Sequence, residues 1–337
     1  MSLKCGELLK RVANAFPSRV GLAFAYGSSV FKQRSNVGNN VIDLVFAVDE
    51  PCEWHRENMR RNSRHYSFLK YFGPEFIAKI QQNFGAKVYY NTLVPLNDAN
   101  SNLIKYGVIK VDDLINDLLD WQSLYISGRL HKPVKFIIEP QSEALKKALQ
   151  INHQSAVHLS LLLLHETFTE EQLYMTIAGI SYDGDFRMII GEDKNKVANI
   201  VKPNIENFRA IYKPYLDSEP MQNLLQFNQS NNLFVQNCSS GVIFHHLSKL
   251  PKTVQQLIYL QLTNNKKVLE LDNALMFLAK SYRVQTHIQD AVRTIVRRSS
   301  YSQTFKGLFT AGVMKSIKYG SKKLFKMGKS LLRPKSS

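Results

Sequence analysis

Apolar positions repeat at helical spacing from Leu8 to Phe16 and stop at Pro17, and Val20 to Ala25 then forms a short continuous apolar run suited to a buried strand. Gly27-Ser28 follows as a turn, Ser35 to Asn40 as a polar loop, and Val41 to Val48 as a second strand interrupted by one acid, Asp43. Trp54 to Tyr71 reads as one basic, aromatic helix and Pro74 to Phe84 as another, with strands at Val88 to Tyr90 and Leu103 to Ile109. Strands interleaved with helices predict an α/β layer. Beyond Val111 helical periods dominate: Leu114, Ile115, Leu118 and Leu119, then Leu145 to Ile151, Ala156 to Leu164 and Glu170 to Ala178. The strand-like Arg187-Met-Ile-Ile190 after these helices suits a small winged-helix unit, and Gln255 to Leu262 and Asn273 to Tyr282 read as further packed helices.

Composition narrows the class. A chain of 337 residues, 44% apolar, can bury a full core and is long enough for two domains. No run approaches the ~20 apolar residues that span a bilayer, so any membrane contact is expected to be peripheral. Cys5, Cys52 and Cys238 are odd in number, far apart and without C-x-x-C spacing, which argues against a disulfide framework or a zinc site and fits a reducing compartment. The formal charge is +17, yet no acidic residue follows Asp290 whereas twelve Lys and Arg do, so the body is only mildly basic. At the other end, Lys4, Lys10, Arg11 and Arg19 against Glu7 have the character of a mitochondrial targeting segment, while Leu3, Leu8, Leu9 and Val12 equally suit the core face of a first helix.

The run Phe24-Ala-Tyr-Gly-Ser-Ser-Val-Phe-Lys-Gln33, followed by the Asp43 strand, is the skeleton of a nucleotidyltransferase site: a turn with free N–H groups for a triphosphate and a strand carboxylate for Mg²⁺. Lys32 does not make it a Walker A loop, since the G-x-x-x-x-G-K-[ST] spacing is absent. Further blocks follow in order: Asn62-Ser-Arg-His-Tyr-Ser-Phe-Leu-Lys-Tyr-Phe-Gly-Pro74, Val88-Tyr-Tyr-Asn91, Ile104-Lys-Tyr-Gly-Val-Ile109, Leu124-Tyr-Ile-Ser-Gly-Arg-Leu-His-Lys-Pro-Val134 and Ser181-Tyr-Asp-Gly-Asp-Phe-Arg-Met188. Together they resemble the mitochondrial phosphatidate cytidylyltransferase family over almost the whole chain. The resemblance implies transfer of CMP from CTP to phosphatidic acid, giving CDP-diacylglycerol and pyrophosphate on the path to cardiolipin. It also implies a nucleotidyltransferase domain joined to a winged-helix domain, with a membrane-associating C-terminus at the matrix side of the mitochondrial inner membrane. The expected fold is therefore an α/β nucleotidyltransferase-like domain in residues 1–125, a mostly helical winged-helix-like domain in 126–290 and a basic amphipathic tail in 291–337.

Both reactants are anions, so such a site must supply cations and a positioned metal more than acid–base chemistry. Asp43 is the expected ligand for Mg²⁺ or another divalent cation. The usual second acid two residues along the strand is missing, because positions 41 and 45 are both valine, and Asp49 stands roughly 20 Å away. Asp185 is the candidate second ligand, with Asp183 or Asp112 behind it. Tyr26, Gly27, Ser28 and Ser29 are assigned to the phosphates, with Lys32 as an electrostatic neighbour. The family's His-Tyr-Ser and Lys-Tyr-Gly blocks bring in His65 and Tyr66, and Lys105 and Tyr106. Arg129 and Lys132 are expected to grip CTP phosphates or the lipid headgroup, and Arg187 to partner Asp185.

In the tail, Phe305, Leu308, Phe309, Val313 and Ile317 recur at three- and four-residue spacing, continued by Leu324, Met327 and Leu331, with lysines around the rest of the circumference. This predicts a helix lying on an anionic bilayer. Two rivals stay open: a nucleotidyltransferase acting on RNA or protein, opposed by the absence of an aromatic RNA-binding signature, and an inactive scaffold, favoured by the missing acid and opposed by the retained turn and Asp43.

Overall fold

The computed structural model describes residues 9, 12–31, 41–95, 103–188, 195–264 and 269–311. Strands β1 (Leu22–Tyr26) and β2 (Val41–Val48) coincide with the two apolar runs around the Gly-Ser turn. Helix α1 (Pro51–Asn62) follows, then two short 3-10 turns, helix α2 (Gly73–Asn83), and strands β3 (Val88–Pro95) and β4 (Leu103–Lys110). Helix α3 (Val111–Asp120), the single turn α4 (Ser127–Leu130) and strand β5 (Lys135–Ile138) complete this half. The five strands form one sheet in the order β3-β4-β2-β1-β5, in which only β2 and β4 run parallel. β1 is buried at all five positions because both sheet faces are covered. Leu22, Phe24, Tyr26, Val45 and Tyr90 lie in the core of one face. Ala23, Leu44, Phe46, Ile104 and Tyr106 lie in the core of the other, where Leu9, Val12 and Phe16 join them.

The expected single helix from Trp54 to Tyr71 is broken. Tyr66 adopts an extended backbone, and Ser67 caps a new 3-10 turn by accepting from the Leu69 N–H, so the chain reverses before α2. The opposite correction applies to the helical segments at 145–151 and 156–164. They are one 21-residue helix, α5 (Glu143–Leu163), capped by Ser142. The polar Asn152 and Ser155 between them do not interrupt it, because both are buried and Asn152 hydrogen-bonds to neighbouring elements.

The second half adds strand β6 (Thr167–Phe168), helices α6 (Glu170–Gly179), α7 (Lys196–Val201), α8 (Ile205–Leu216) and α9 (Glu219–Gln222), and the hairpin β7 (Leu225–Asn228) and β8 (Leu233–Gln236). β6, β8 and β7 make a three-stranded sheet that apolar patterning did not announce. Phe186–Met188 is a 3-10 turn where a strand was expected, and residues 189 and 190 lie outside those described. Helices α10 (Ser240–Ser248), α11 (Lys252–Leu262), α12 (Leu271–Ala279) and the long α13 (Val284–Ala311) close the core. The expected tail boundary at residue 291 falls inside α13, whose Ile288, Ala291, Val292, Ile295 and Val296 are buried in the helical core. The same helix then crosses to the first half. There Gln303 donates to the Val88 carbonyl at 3.1 Å and accepts from the Ala86 N–H at 3.1 Å, and Lys306 donates to the Gln81 and Phe84 carbonyls at 3.0 and 2.8 Å.

Candidate active site

Strand pairing sets Tyr26 directly opposite Asp43 and Asp43 directly opposite Lys105, so three adjacent strands present these side chains in one row on one face. Lys105 Nζ lies 3.7 Å from Asp43 Oδ1 and 4.7 Å from the centre of the Tyr90 ring. Gly27 then turns the chain with φ +85°, and a Cβ there would sit 3.1 Å from Asp43 Oδ2, so any other residue would strain the turn and crowd the carboxylate. The Gly27 carbonyl accepts from the N–H groups of Val30 and Phe31. The Ser29 hydroxyl donates to the Val41 carbonyl, tying the turn to the start of β2. Lys32 lies outside the described residues.

Two cations close over this row from the connection after α3. The Arg129 guanidinium stacks 4.5 Å from the centre of the Tyr26 ring. Burial opposes its charge, but Tyr182, Tyr26 and Asp43 around it outweigh that and hold it protonated. Lys132 is only 2% exposed. Its Nζ donates to Ser181 Oγ at 2.6 Å and lies 4.6 Å from the centre of the Tyr182 ring, and no described carboxylate forms an ion pair with it. Burial, and then the charges of Arg129 and Lys196, push its ammonium well below the ordinary lysine range. Gly27, Phe31, Arg129, Lys132, Ile200 and Asn204 line a cleft between the sheet and the helical half.

The loop bearing Arg129 and Lys132 is held from beneath by residues that sequence reasoning did not single out. The buried Asp117 carboxylate accepts from the N–H groups of Ser123, Leu124 and Ser127 and from the Ser123 hydroxyl. Asn152 on α5 accepts from Trp121 Nε1 at 2.8 Å and donates to the Ser127 carbonyl at 3.1 Å. At Gly128 a Cβ would stand 2.4 Å from Ser181 Cβ, so the contact that brings Ser181 to Lys132 requires glycine. The signal available was an acid, Asp117, on the apolar stripe of α3 formed by Leu114 and Leu118, followed by Ser123 and Ser127.

Asp185 and Arg187 are paired as expected: the Asp185 carboxylate accepts from the Arg187 backbone N–H and from its guanidinium at Nε and Nη2. Arg187 stands 5.9 Å from the Tyr125 ring, which in turn is 6.3 Å from the Tyr90 ring of the Lys105 row. Asp183 instead pairs with Arg293 on α13 at 2.8 Å. Asp112 pairs with Lys110, five residues along β4 from Lys105 and so roughly 16 Å from the row.

His65, Tyr66 and Tyr106 are not brought to the row. Lys105 and Tyr106 are consecutive on β4, so their side chains leave opposite faces. Tyr106 joins a buried network in which Asn58 Nδ2 donates to the hydroxyls of Tyr66 and Tyr106, both at 2.9 Å. His55 bonds to the Tyr66 hydroxyl and Gln81, and His65 Nδ1 lies 3.2 Å from the Tyr106 hydroxyl. In the structure these side chains brace the sheet's other face, away from the row.

An α/β protein of nucleotidyltransferase-like class is what this sheet, turn and cationic rim define. Comparison with known proteins makes the assignment particular: residues 9–326 match the family described as mitochondrial phosphatidate cytidylyltransferase. Proteins of that name are similar along nearly the whole chain. The one from Xenopus laevis is 46% identical over 335 residues, covering 98% of this chain and 97% of its own. That from Danio rerio is 45% identical, covering 94% of each, and that from Drosophila melanogaster is 40% identical, covering 94% and 97%. The chain belongs to this family.

Proposed function

We propose that this protein transfers CMP from CTP to phosphatidic acid, releasing pyrophosphate and forming CDP-diacylglycerol, in support of phosphatidylglycerol and cardiolipin synthesis. The observation that carries the proposal is the row Tyr26–Asp43–Lys105 beneath Arg129 and Lys132, one carboxylate among three cations beside a glycine turn. In the in-line displacement a phosphate oxygen of phosphatidic acid attacks the α-phosphorus of CTP, the bond to the β-phosphate oxygen breaks, and pyrophosphate leaves. Arg129 offers a fork to two phosphate oxygens and Lys132 and Lys105 offer point charges, so the residues neutralise two reactants that repel each other. The nucleophile is already anionic, and no protein base is required.

Asp43 suits a hard divalent cation. It is a partly exposed strand-end carboxylate, loosely paired at 3.7 Å, and Mg²⁺ takes one or two carboxylates with substrate phosphates and water. Asp185 reaches that role only by exchanging Arg187. Bound there, Mg²⁺ would supply charge to the triphosphate.

The end of α13 supports the membrane-facing tail. Gln303, Lys306 and Thr310 face the protein, whereas Phe305 is 65% exposed and Leu308 and Phe309 are also exposed, the reverse of a globular helix. Exposed Phe68, Tyr71, Phe72 and Phe76 extend the patch from the first half, joined where the Ser67 hydroxyl donates to the Phe309 carbonyl. Val313 and the rest of the expected amphipathic stretch lie outside the described residues. No described helix is long and apolar enough to cross a membrane. A peripheral position on the matrix face of the mitochondrial inner membrane fits, and β6, β8 and β7 beside α6 and α8 fit a winged-helix reading.

Incubation with labelled CTP, phosphatidic acid and Mg²⁺ tests the proposal. CDP-diacylglycerol is the expected product; label appearing only in a parallel RNA sample, or in neither, rejects it.

A further inference from the structure

His158 lies on α5, and His245 and His246 are neighbours on α10, which is packed against α5. One ring nitrogen of each lies within 4.8 Å of those of the other two, with no carboxylate or cysteine in the group. The ring centres are 5.1 to 5.8 Å apart and the rings are tilted or edge-on rather than stacked. His158 Nδ1 and His246 Nδ1 approach to 2.8 Å, so the two atoms share at most one proton. His246 is 3% exposed, and its Nε2 has no hydrogen-bond partner among the described residues. A buried nitrogen of this kind costs stability unless something binds it.

Burial first, then the neighbouring imidazoles and Lys249, lower His158 to about 3; burial and His245 lower His246 to about 4; burial and Lys249 lower His245. A neutral imidazole offers one ring-nitrogen lone pair, so the three rings can present three donors to one ion. Among the described residues Lys249 is the neighbouring charge opposed to a cation, and it is exposed at the end of α10. Three imidazoles select a borderline transition metal over Mg²⁺ or Ca²⁺, which require oxygen donors. Zn–N bonds of ~2.0–2.1 Å set ligand nitrogens about 3.4 Å apart, within the 4.8 Å that bounds the three ring nitrogens here.

The geometry points to a Zn²⁺-type divalent metal site at His158, His245 and His246 that staples α5 to α10 and leaves a fourth position open to water. The site is separate from the Asp43 row and independent of the reaction assigned to it. Its reach is through α5, because Asn152 and His153 on the same helix hold the loop carrying Arg129 and Lys132.

Titrating chelator-treated full-length protein with ZnCl₂ by calorimetry should give one equivalent bound and a raised thermal midpoint, with neither effect from MgCl₂. Co²⁺ in place of Zn²⁺ should show the visible bands of a tetrahedral ion. His158→Gln, and His245→Ala at a half-buried position that the fold tolerates more easily, should each weaken Zn²⁺ binding at least tenfold, while Asp43→Asn leaves it unchanged. Absence of Zn²⁺ binding by the folded wild type, binding retained in either folded histidine variant, or binding lost in Asp43→Asn would overturn the assignment.

Discussion

Among the described residues the Asp43 carboxylate is ion-paired only with Lys105, at 3.7 Å, and its position opposite Tyr26 and Lys105 follows from strand register. Asp43→Asn keeps the shape and removes the charge a hard cation needs, so folded Asp43→Asn protein should lose turnover by at least a hundredfold; near-normal activity would take Asp43 out of the site. Lys132 makes a different prediction. Burial and Arg129 disfavour its ammonium form, and a bound triphosphate restores it, so CTP binding should take up a proton and weaken as pH rises through the value of the free enzyme. Calorimetry in two buffers of different ionisation enthalpy measures this uptake, which Lys132→Gln should abolish. Lys132→Ala should also lower kcat/KM more than fivefold, since a desolvated contact to phosphate contributes ~1.5–3 kcal/mol; equal heats in both buffers would show that Lys132 does not titrate with binding.

Among the elements, α13 decides how the two halves meet. Lys306 on this helix is 5% exposed, caps the last carbonyls of α2, and is lowered by burial to about 7. The folded state gives up this proton at lower pH than the unfolded chain, so its contribution to stability rises with pH from about 7 towards the unfolded lysine value, by up to ~1.4 kcal/mol per unit. Urea melts at pH 7 and 9 should show a steeper rise in wild type than in Lys306→Met; identical slopes would mean that Lys306 stays charged. Because Gln303 and Lys306 anchor the helix, cutting the chain after Ser300 would undock it as well as remove the tail. Substitution of the outward face is the cleaner experiment. Phe72→Ser with Phe305→Ser and Phe309→Ser should reduce binding to phosphatidate- or cardiolipin-containing vesicles at least tenfold with the thermal midpoint preserved, and undiminished binding would exclude this face.

At the scale of the whole molecule, burial lowers His55 and His246 to about 4 and His158 to about 3. Below pH 6.5 the unfolded chain protonates these rings and the folded one does not, so stability must fall as pH falls, by up to ~1.4 kcal/mol per unit for each. Urea midpoints measured with chelator at pH 7.5, 6.5 and 5.5 should decline in that order. A flat or rising series would show that the rings protonate in place.

β1, β2, their turn and Asp43 were legible in the sequence because they rest on local rules: short continuous apolar runs, a glycine at a turn, and an acid interrupting an apolar strand whose side chains alternate between faces with a period of two. The same period placed Lys105 and Tyr106 on opposite faces, and here the strand pattern was a better guide than shared membership of a motif. The pairing of Asp185 with Arg187 was also legible, two residues apart on one turn. Only the tertiary structure decided that Arg129 covers Tyr26, that Lys132 reaches Ser181, and that Asp117 and Asn152 hold the loop between them, for these contacts join residues 25 to 103 positions apart or turn on strained backbone at Trp121 and Leu124. The sequence determined which side chains could do the chemistry; burial and strand order, properties of the folded chain as a whole, determined which of them face one another.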